Sequence, residues 1–156
     1  MKLNLGCGGP PSQMPGYINC DHMDFDGVEL LLDLEDPLPF KTNSIEEIVC
    51  NQTLEHLIYE YAIAALDQMY RVLQPGGKLI LSVPDWHSVL LRLSSYHYTT
   101  RQTLKMVFGE PIGQHRYGWT EQELNMVLDD VGFVNVQRES IDRESICMEC
   151  YKYGTN

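Results

Sequence analysis

The sequence predicts an α/β protein built on a mostly parallel sheet, and three observations carry that reading. Short segments of strand length alternate with turn residues along the first half of the chain. A stretch of helical period lies between two of them. The successive strand ends carry glycine, acid, acid and amide, which puts one polar rim on one edge of the sheet, where open α/β sheets bind their ligands.

The first predicted strand, "KLNLG" (2–6), runs into Gly6-Cys7-Gly8-Gly9. Glycine clustered there fits a tight turn or a close approach of backbone to a ligand, because it has no Cβ in the way. "GYINCD" (16–21) gives a second strand ending in Asp21, "VELLLDL" (28–34) a third reaching Asp33, and "IEEIVCN" (45–51) a fourth ending in Asn51 beside Gln52. In "IYEYAIAALDQMYRVLQPGG", Ile58, Tyr61, Ala62, Ala65, Leu66, Met69, Val72 and Leu73 recur at three- and four-residue spacing, with Pro75 and Gly76 as the stop. "GKLILSV" (77–83) is the fifth strand. Thr120 as N-cap, Glu123 as its capping-box partner and Gly132 beyond the end frame a second helix. "FVNVQ" and "ESICMECYKY" then read as a closing hairpin.

The 156 residues suffice for one domain, 1–156, with a real core, and 44% hydrophobic with 21% charged residues is ordinary globular usage. Acidic residues outnumber basic ones 22 to 11, and a net charge of −11 repels phosphate backbones, so no nucleic-acid partner is expected. Apolar runs fall far short of the ~20 residues that cross a bilayer, so no membrane association is expected. Five cysteines, an odd count, with Cys7, Cys20 and Cys50 each in or just after a predicted strand, fit a reducing, cytoplasmic setting. Cys147 and Cys150 lack a second CxxC or a nearby His pair, and no metal site is expected.

A bare glycine loop followed, one strand later, by a carboxylate suits a nucleoside-containing cofactor, because a carboxylate can accept from both hydroxyls of a ribose. The dinucleotide pattern GxGxxG would need glycine at position 11, which is Pro11, and GxxxxGK[ST] is absent. A nicotinamide cofactor or a nucleoside triphosphate is therefore disfavoured.

Taken together, "LNLGCGG", Asp21, "DLEDPLPF", "IVCNQTLEHL", "RVLQPGGKLILSVPD" and "GWTEQELNMVLDDVGF" resemble, in order, the motifs of the class I S-adenosylmethionine-dependent methyltransferases, most closely the small type-11 group. The fold implied is Rossmann-like, a mostly parallel sheet with a C-terminal antiparallel hairpin. The resemblance implies S-adenosyl-L-methionine as cofactor, with Gly6, Cys7 and Gly8 against its methionine part, Asp21 at the ribose, Asp33 and Leu34 at the adenine, Asn51 and Gln52 beneath the sulfonium, and Leu5 and His22 as further cofactor-binding residues. It also implies a methyltransferase acting on a small-molecule or sugar-like acceptor; a cofactor-binding or assembly protein without turnover is the alternative. In-line methyl transfer needs alignment above all, and a base only if the acceptor must lose a proton. His56, His115 and Tyr117 are the candidates, although a histidine in the place of His56 is more often a structural hydrogen-bonder than a base.

The segment from about 87 to 117 lies outside the resemblance. Its aromatic residues, Tyr96, His97, Tyr98, Phe108, His115 and Tyr117, with Trp119 just beyond, read either as cover for the sheet edge or as a lid-like acceptor pocket. The connection "GCGGPPSQMP" is too short and too rich in proline for the helix expected between the first two strands. One face of the sheet should therefore have a reduced helix layer, and Lys2 and Asn4 alternating with Leu3 and Leu5 agree. The 87–117 segment or a second copy in a homodimer is expected to shield it.

Overall fold

A computed structural model describes residues 1–94, 99–110, 113–139 and 144–154; Tyr96, His97 and Tyr98 lie outside the described residues. In chain order the elements are β1 (Lys2–Leu5), β2 (Ile18–Asp21), β3 (Leu30–Leu31), β4 (Ile45–Asn51), a 3₁₀ turn (Leu54–His56), α1 (Tyr59–Val72), β5 (Leu73–Pro84), α2 (Trp86–Ser94), α3 (Thr100–Phe108), β6 (Gly109–Glu110), β7 (Gly113–Gln114), α4 (Glu121–Val131), β8 (Phe133–Arg138) and β9 (Ser145–Lys152). Seven strands form one sheet in the order β3-β2-β1-β4-β5-β9-β8, and β6 and β7 form a separate two-stranded ribbon. β3 to β5 across this order are parallel, and β9 and β8 close the sheet antiparallel, as expected for the hairpin.

Burial follows the strand period. Leu3, Leu5, Ile48, Cys50, Leu79, Leu81, Ile146, Met148 and Cys150 are all fully buried and share one core with Ala62, Ala65, Leu66 and Met69 of α1 and Leu124, Val127 and Leu128 of α4. Ile58 and Tyr61 of the predicted α1 stripe are instead exposed, while Tyr59, Ile63 and Tyr70 pack on the core. Cys147 and Cys150 fall on opposite faces of β9, one half-buried and the other in the core.

The predicted third strand is shorter than its apolar run. Regular pairing covers only Leu30–Leu31, because this is the sheet edge: Glu29 N–H still donates to Asn19 O (2.8 Å) and Leu32 N–H to Asp21 O (3.0 Å), and the chain then turns at Asp33. β5 starts earlier than predicted, at Leu73 against Ile45, and Gln74 to Gly77 bulge out before pairing resumes at Lys78 with Glu47. Thr120 caps α4 by accepting from Glu123 N–H (3.3 Å), but the Glu123 carboxylate takes the Tyr117 hydroxyl (2.5 Å).

The face without helices carries its own cover. Asn4 is buried and donates to Asn19 Oδ1 (2.9 Å) and Ser12 O (3.0 Å); Asn19 Oδ1 also accepts from Met14 N–H (2.8 Å), and Glu29 Oε2 accepts from Asn19 N–H (2.9 Å). These bonds lay the proline-rich loop 9–17 over β1 and β2. Further across the same face, Glu47 pairs with Lys2 and Lys78 (both 3.5 Å) and accepts from the Tyr17 hydroxyl, and Lys78 also reaches Glu149 (3.6 Å). The polar half of each strand is thus spent on cross-strand pairing.

This ladder has a pH signature. Burial alone would raise the Glu47 carboxyl, but the Tyr17 bond, Lys78 and Lys2 outweigh it and hold the group below its ordinary 4.5. Its stabilising contribution is therefore complete above about pH 4.5 and is lost as pH falls through the depressed value. Glu47→Ala is expected to destabilise the fold by about 1–2 kcal/mol at neutral pH, with the difference from the parent shrinking in acid; urea titrations at the two pH values measure it.

Candidate functional site

The sheet order reverses at β1, whose neighbours β2 and β4 lead the chain away in opposite directions, and a cavity of about 670 Å³ opens beyond the strand ends there. That volume lies within the usual range for small-molecule sites. Its lining comes from every strand end on the rim: Gly6 and Gly8 after β1, Asp21 to Met23 after β2, Leu32 to Glu35 after β3, and Gln52 and Thr53 after β4. His56, Leu57, Gln114 and Arg116 complete the lining.

Asp21 holds the rim together. It is 5% exposed; Oδ2 accepts from Gly8 N–H (2.8 Å), Oδ1 accepts from Met23 N–H (3.0 Å), and the His22 imidazole lies 3.3 Å from Oδ1. The carboxylate thus ties the glycine loop to the end of β2 and keeps lone pairs for a ligand. Gly6 (φ +66°) and Gly8 (φ +59°) adopt the left-handed conformation this loop requires. At Gly6 there is a second constraint, because a Cβ would sit 2.2 Å from Thr53 Oγ1. At Gly8 a Cβ would meet nothing within 4 Å, so the loop presents open backbone to the cavity.

The sequence-predicted binding residues divide. Gly6, Gly8, Asp21, His22, Asp33, Leu34 and Gln52 line the cavity. Leu5 and Cys7 are buried behind the loop, with the Cys7 thiol pushed up by burial and then by Asp21. The Asn51 side chain faces sideways, accepting from Ser82 Oγ (3.2 Å), whereas Gln52 N–H donates to Ser82 O (2.8 Å) at φ +49°. Sequence reasoning missed Phe25, Thr53, Glu35 and Arg116. Arg116 is paired with Glu35 (2.8 Å) across 81 positions of sequence, a closure no local pattern reveals.

Of the three candidates for acceptor chemistry, His56 alone lines the cavity. Its Nδ1 lies 3.2 Å from Gln114 O. A carbonyl only accepts, so Nδ1 carries the proton in that bond and Nε2 keeps its lone pair. The His115 ring lies against His56, centroids 5.2 Å apart. Tyr117 is elsewhere: its hydroxyl binds Glu123, its ring packs on Tyr59 (5.0 Å) and Trp119 (4.9 Å), and burial followed by the Glu123 bond pushes its pKa up to about 12. Glu55, next to His56, is 1% exposed, and burial raises its carboxyl to about 8 against a single opposing bond from its own backbone.

A seven-stranded sheet of this order, with a glycine loop and an acid at its switch point, defines the class I S-adenosylmethionine-dependent methyltransferase fold. A family model described as a methyltransferase domain matches residues 19–138, and the chain belongs to that family. No curated protein matches the sequence. Among solved structures, a Pyrococcus horikoshii protein is similar at 16% identity and TM-score 0.71, over 97% of this chain and 81% of that one. A Thermotoga maritima S-adenosylmethionine-dependent methyltransferase, described as a possible histamine N-methyltransferase, is similar at 18% identity and TM-score 0.70, over 97% and 81%. The CurJ carbon methyltransferase is similar at 15% identity and TM-score 0.69; 98% of this chain is covered, but it spans only 48% of that one. At such identities these likenesses show the fold.

The cradle fits the cofactor that the family uses. Three carboxylates and one guanidinium line a cavity suited to a ligand with a sulfonium and an ammonium against one carboxylate. The geometry at Gly6 also makes a sharp expectation. Gly6→Ala should destabilise the protein by about 2–4 kcal/mol, combining the left-handed backbone penalty with the Thr53 clash. Adding Thr53→Ala should recover part of that loss in denaturant titrations, and purely additive effects would contradict the contact.

Proposed function

We propose that the domain transfers the methyl group of S-adenosyl-L-methionine to a small-molecule or sugar-like acceptor entering on the His56 side of the cavity. The observation that carries this reading is the rim itself, which brings Gly8, Asp21, Asp33 and Gln52 to one cavity together with His56. Bound there, the cofactor supplies an electrophilic methyl on a sulfonium that becomes neutral as the bond breaks. The chain's own residues have the remaining work. Gly6 and Gly8 offer backbone to the methionine part, Asp21 accepts from the ribose hydroxyls, and Asp33 with Leu34 borders the adenine. Gln52 forms the floor.

In-line displacement depends on alignment and water exclusion. We propose that the strap 113–117 supplies both on the acceptor side, since Gln114 and Arg116 line the cavity and Arg116 pairs with Glu35, another lining residue. The acceptor enters on the same side, beside the His56 imidazole. The acidic surface that disfavours nucleic acid leaves small acceptors as the better match.

Calorimetry with S-adenosylmethionine, S-adenosylhomocysteine and NAD tests the cofactor side. The first two should bind and NAD should not. Asp21→Asn should weaken S-adenosylhomocysteine about tenfold or more, because an amide nitrogen opposite Gly8 N–H sets donor against donor. Labelled methyl offered with monosaccharides, small alcohols, amines, peptide and RNA tests the acceptor side. Label in the small-molecule fraction, falling about 10²-fold in His56→Ala, supports the reading; label only in peptide or RNA contradicts it.

A further inference from the structure

Three side chains at the acceptor end form a set that the reading above does not require. Glu55 and His56 come from the 3₁₀ turn after β4, and His115 comes from the strap that follows β7, 59 positions later. The strap is fixed to the turn by backbone bonds, Arg116 N–H and Tyr117 N–H both donating to Glu55 O (2.7 and 3.1 Å), and His115 N–H donates to Phe108 O (3.0 Å). One ligand-type atom from each of Glu55, His56 and His115 lies within 4.8 Å of those of the other two.

Two independent features point to a bound cation. Glu55 is 1% exposed, and among the described residues its Oε2 has no hydrogen-bond partner. Leaving a buried carboxyl oxygen without a partner is costly, and a bound cation supplies one. His56 is already oriented as metal-binding histidines are, with one ring nitrogen donating to a backbone carbonyl, here Gln114 O at 3.2 Å, and the other left with its lone pair. The imidazoles of His56 and His115 are tilted by 53° rather than stacked flat.

We infer that Glu55, His56 and His115 bind one divalent first-row transition-metal ion at the acceptor end of the cavity. A carboxylate with two imidazoles is a nitrogen and oxygen donor set suited to manganese, iron, cobalt or zinc, and it leaves coordination positions open. Bonds of about 2.0–2.2 Å require ligand atoms roughly 3–3.5 Å apart, so the two half-exposed rings close by about an ångström on binding. Of the three ligands, His56 is the one that lines the cavity.

This deepens the proposed function and rests on it for where the acceptor enters. It narrows the acceptor to one carrying a hydroxyl, preferably with a neighbouring hydroxyl or carboxylate that chelates beside it. The ion lowers the hydroxyl's proton affinity, and the proton passes to solvent. The oxygen then attacks the methyl carbon; the O–CH₃ bond forms as the S–CH₃ bond breaks, and the sulfur keeps the electron pair as a neutral thioether. His56 acts here as a ligand that holds the ion rather than as the base.

The test uses the full chain, stripped with chelator and titrated separately with Mn²⁺, followed by electron paramagnetic resonance, and with Co²⁺, followed by absorption and paramagnetically shifted imidazole N–H signals. S-Adenosylhomocysteine calorimetry runs on the same samples. One equivalent of each metal should bind, at least about tenfold more weakly in Glu55→Gln and in His115→Gln, and His115→Gln should lose one shifted imidazole signal. Retained S-adenosylhomocysteine binding shows that the variants are folded. Absence of one-to-one metal binding, or equal affinity in parent and both variants, overturns the inference while leaving the cofactor reading intact. Metal binding without S-adenosylhomocysteine binding would instead remove the proposed function and keep the metal site.

Discussion

The carboxylate of Asp21 is the constraint on which the site depends. No helix lies between β1 and β2, and the glycine loop's amides, which lie beyond the strand ladder, need an acceptor. Asp21 provides it, binding Gly8 N–H with one oxygen and Met23 N–H with the other. The loop is thereby fixed to the end of the neighbouring strand, and its left-handed glycines keep their backbone turned toward the cavity. A residue read from sequence as a ligand contact is therefore also what shapes the pocket for that contact. One carboxylate has the capacity for both, because each oxygen carries a second lone pair.

The same economy explains the face without helices. A parallel strand is usually buried on both sides and reads as continuously apolar, yet β1 alternates, with Asn4 on the side the helices leave bare. Asn4 is nonetheless buried, because Asn19, Ser12 and Glu29 join it in a network that lays loop 9–17 across the strands. Where that loop ends, the Lys2–Glu47–Lys78–Glu149 ladder takes over. Cover comes from hydrogen bonds and ion pairs in place of a packed helix. The expectation that a distant segment or a second copy must shield this flank loses its physical reason.

Much of this was legible in the sequence because local chemistry dictates it. The period of α1, the Thr120 and Gly132 boundaries of α4, and the glycine and acid at the ends of β1 and β2 all reflect constraints within a few residues. What escaped was non-local or governed by competition. β3 shrank because an edge strand is paired on one side only, and β5 lengthened because a bulge could absorb the Pro75 turn. α2 and α3 were overlooked beneath the aromatic residues, although Asp85, accepting from His87 N–H, and the Thr99–Gln102 capping box are ordinary start signals. Tyr117 reads as a site residue from its neighbours, yet Glu123, Tyr59 and Trp119 hold it in the packing under the strap. The grouping of Glu55, His56 and His115 depends on how the strap crosses the turn, which spacing cannot foretell.

The central claim is that the ends of β1, β2 and β4, organised by Asp21, form the cofactor cradle. Amide chemical-shift mapping during titration with S-adenosylhomocysteine tests it most directly. The largest shifts are expected at Gly6, Gly8, Met23, Leu34 and Gln52, with α2 and α3 little changed. Shifts concentrated on α2 and α3, with the Gly8 and Met23 amides unmoved at saturation, would contradict it.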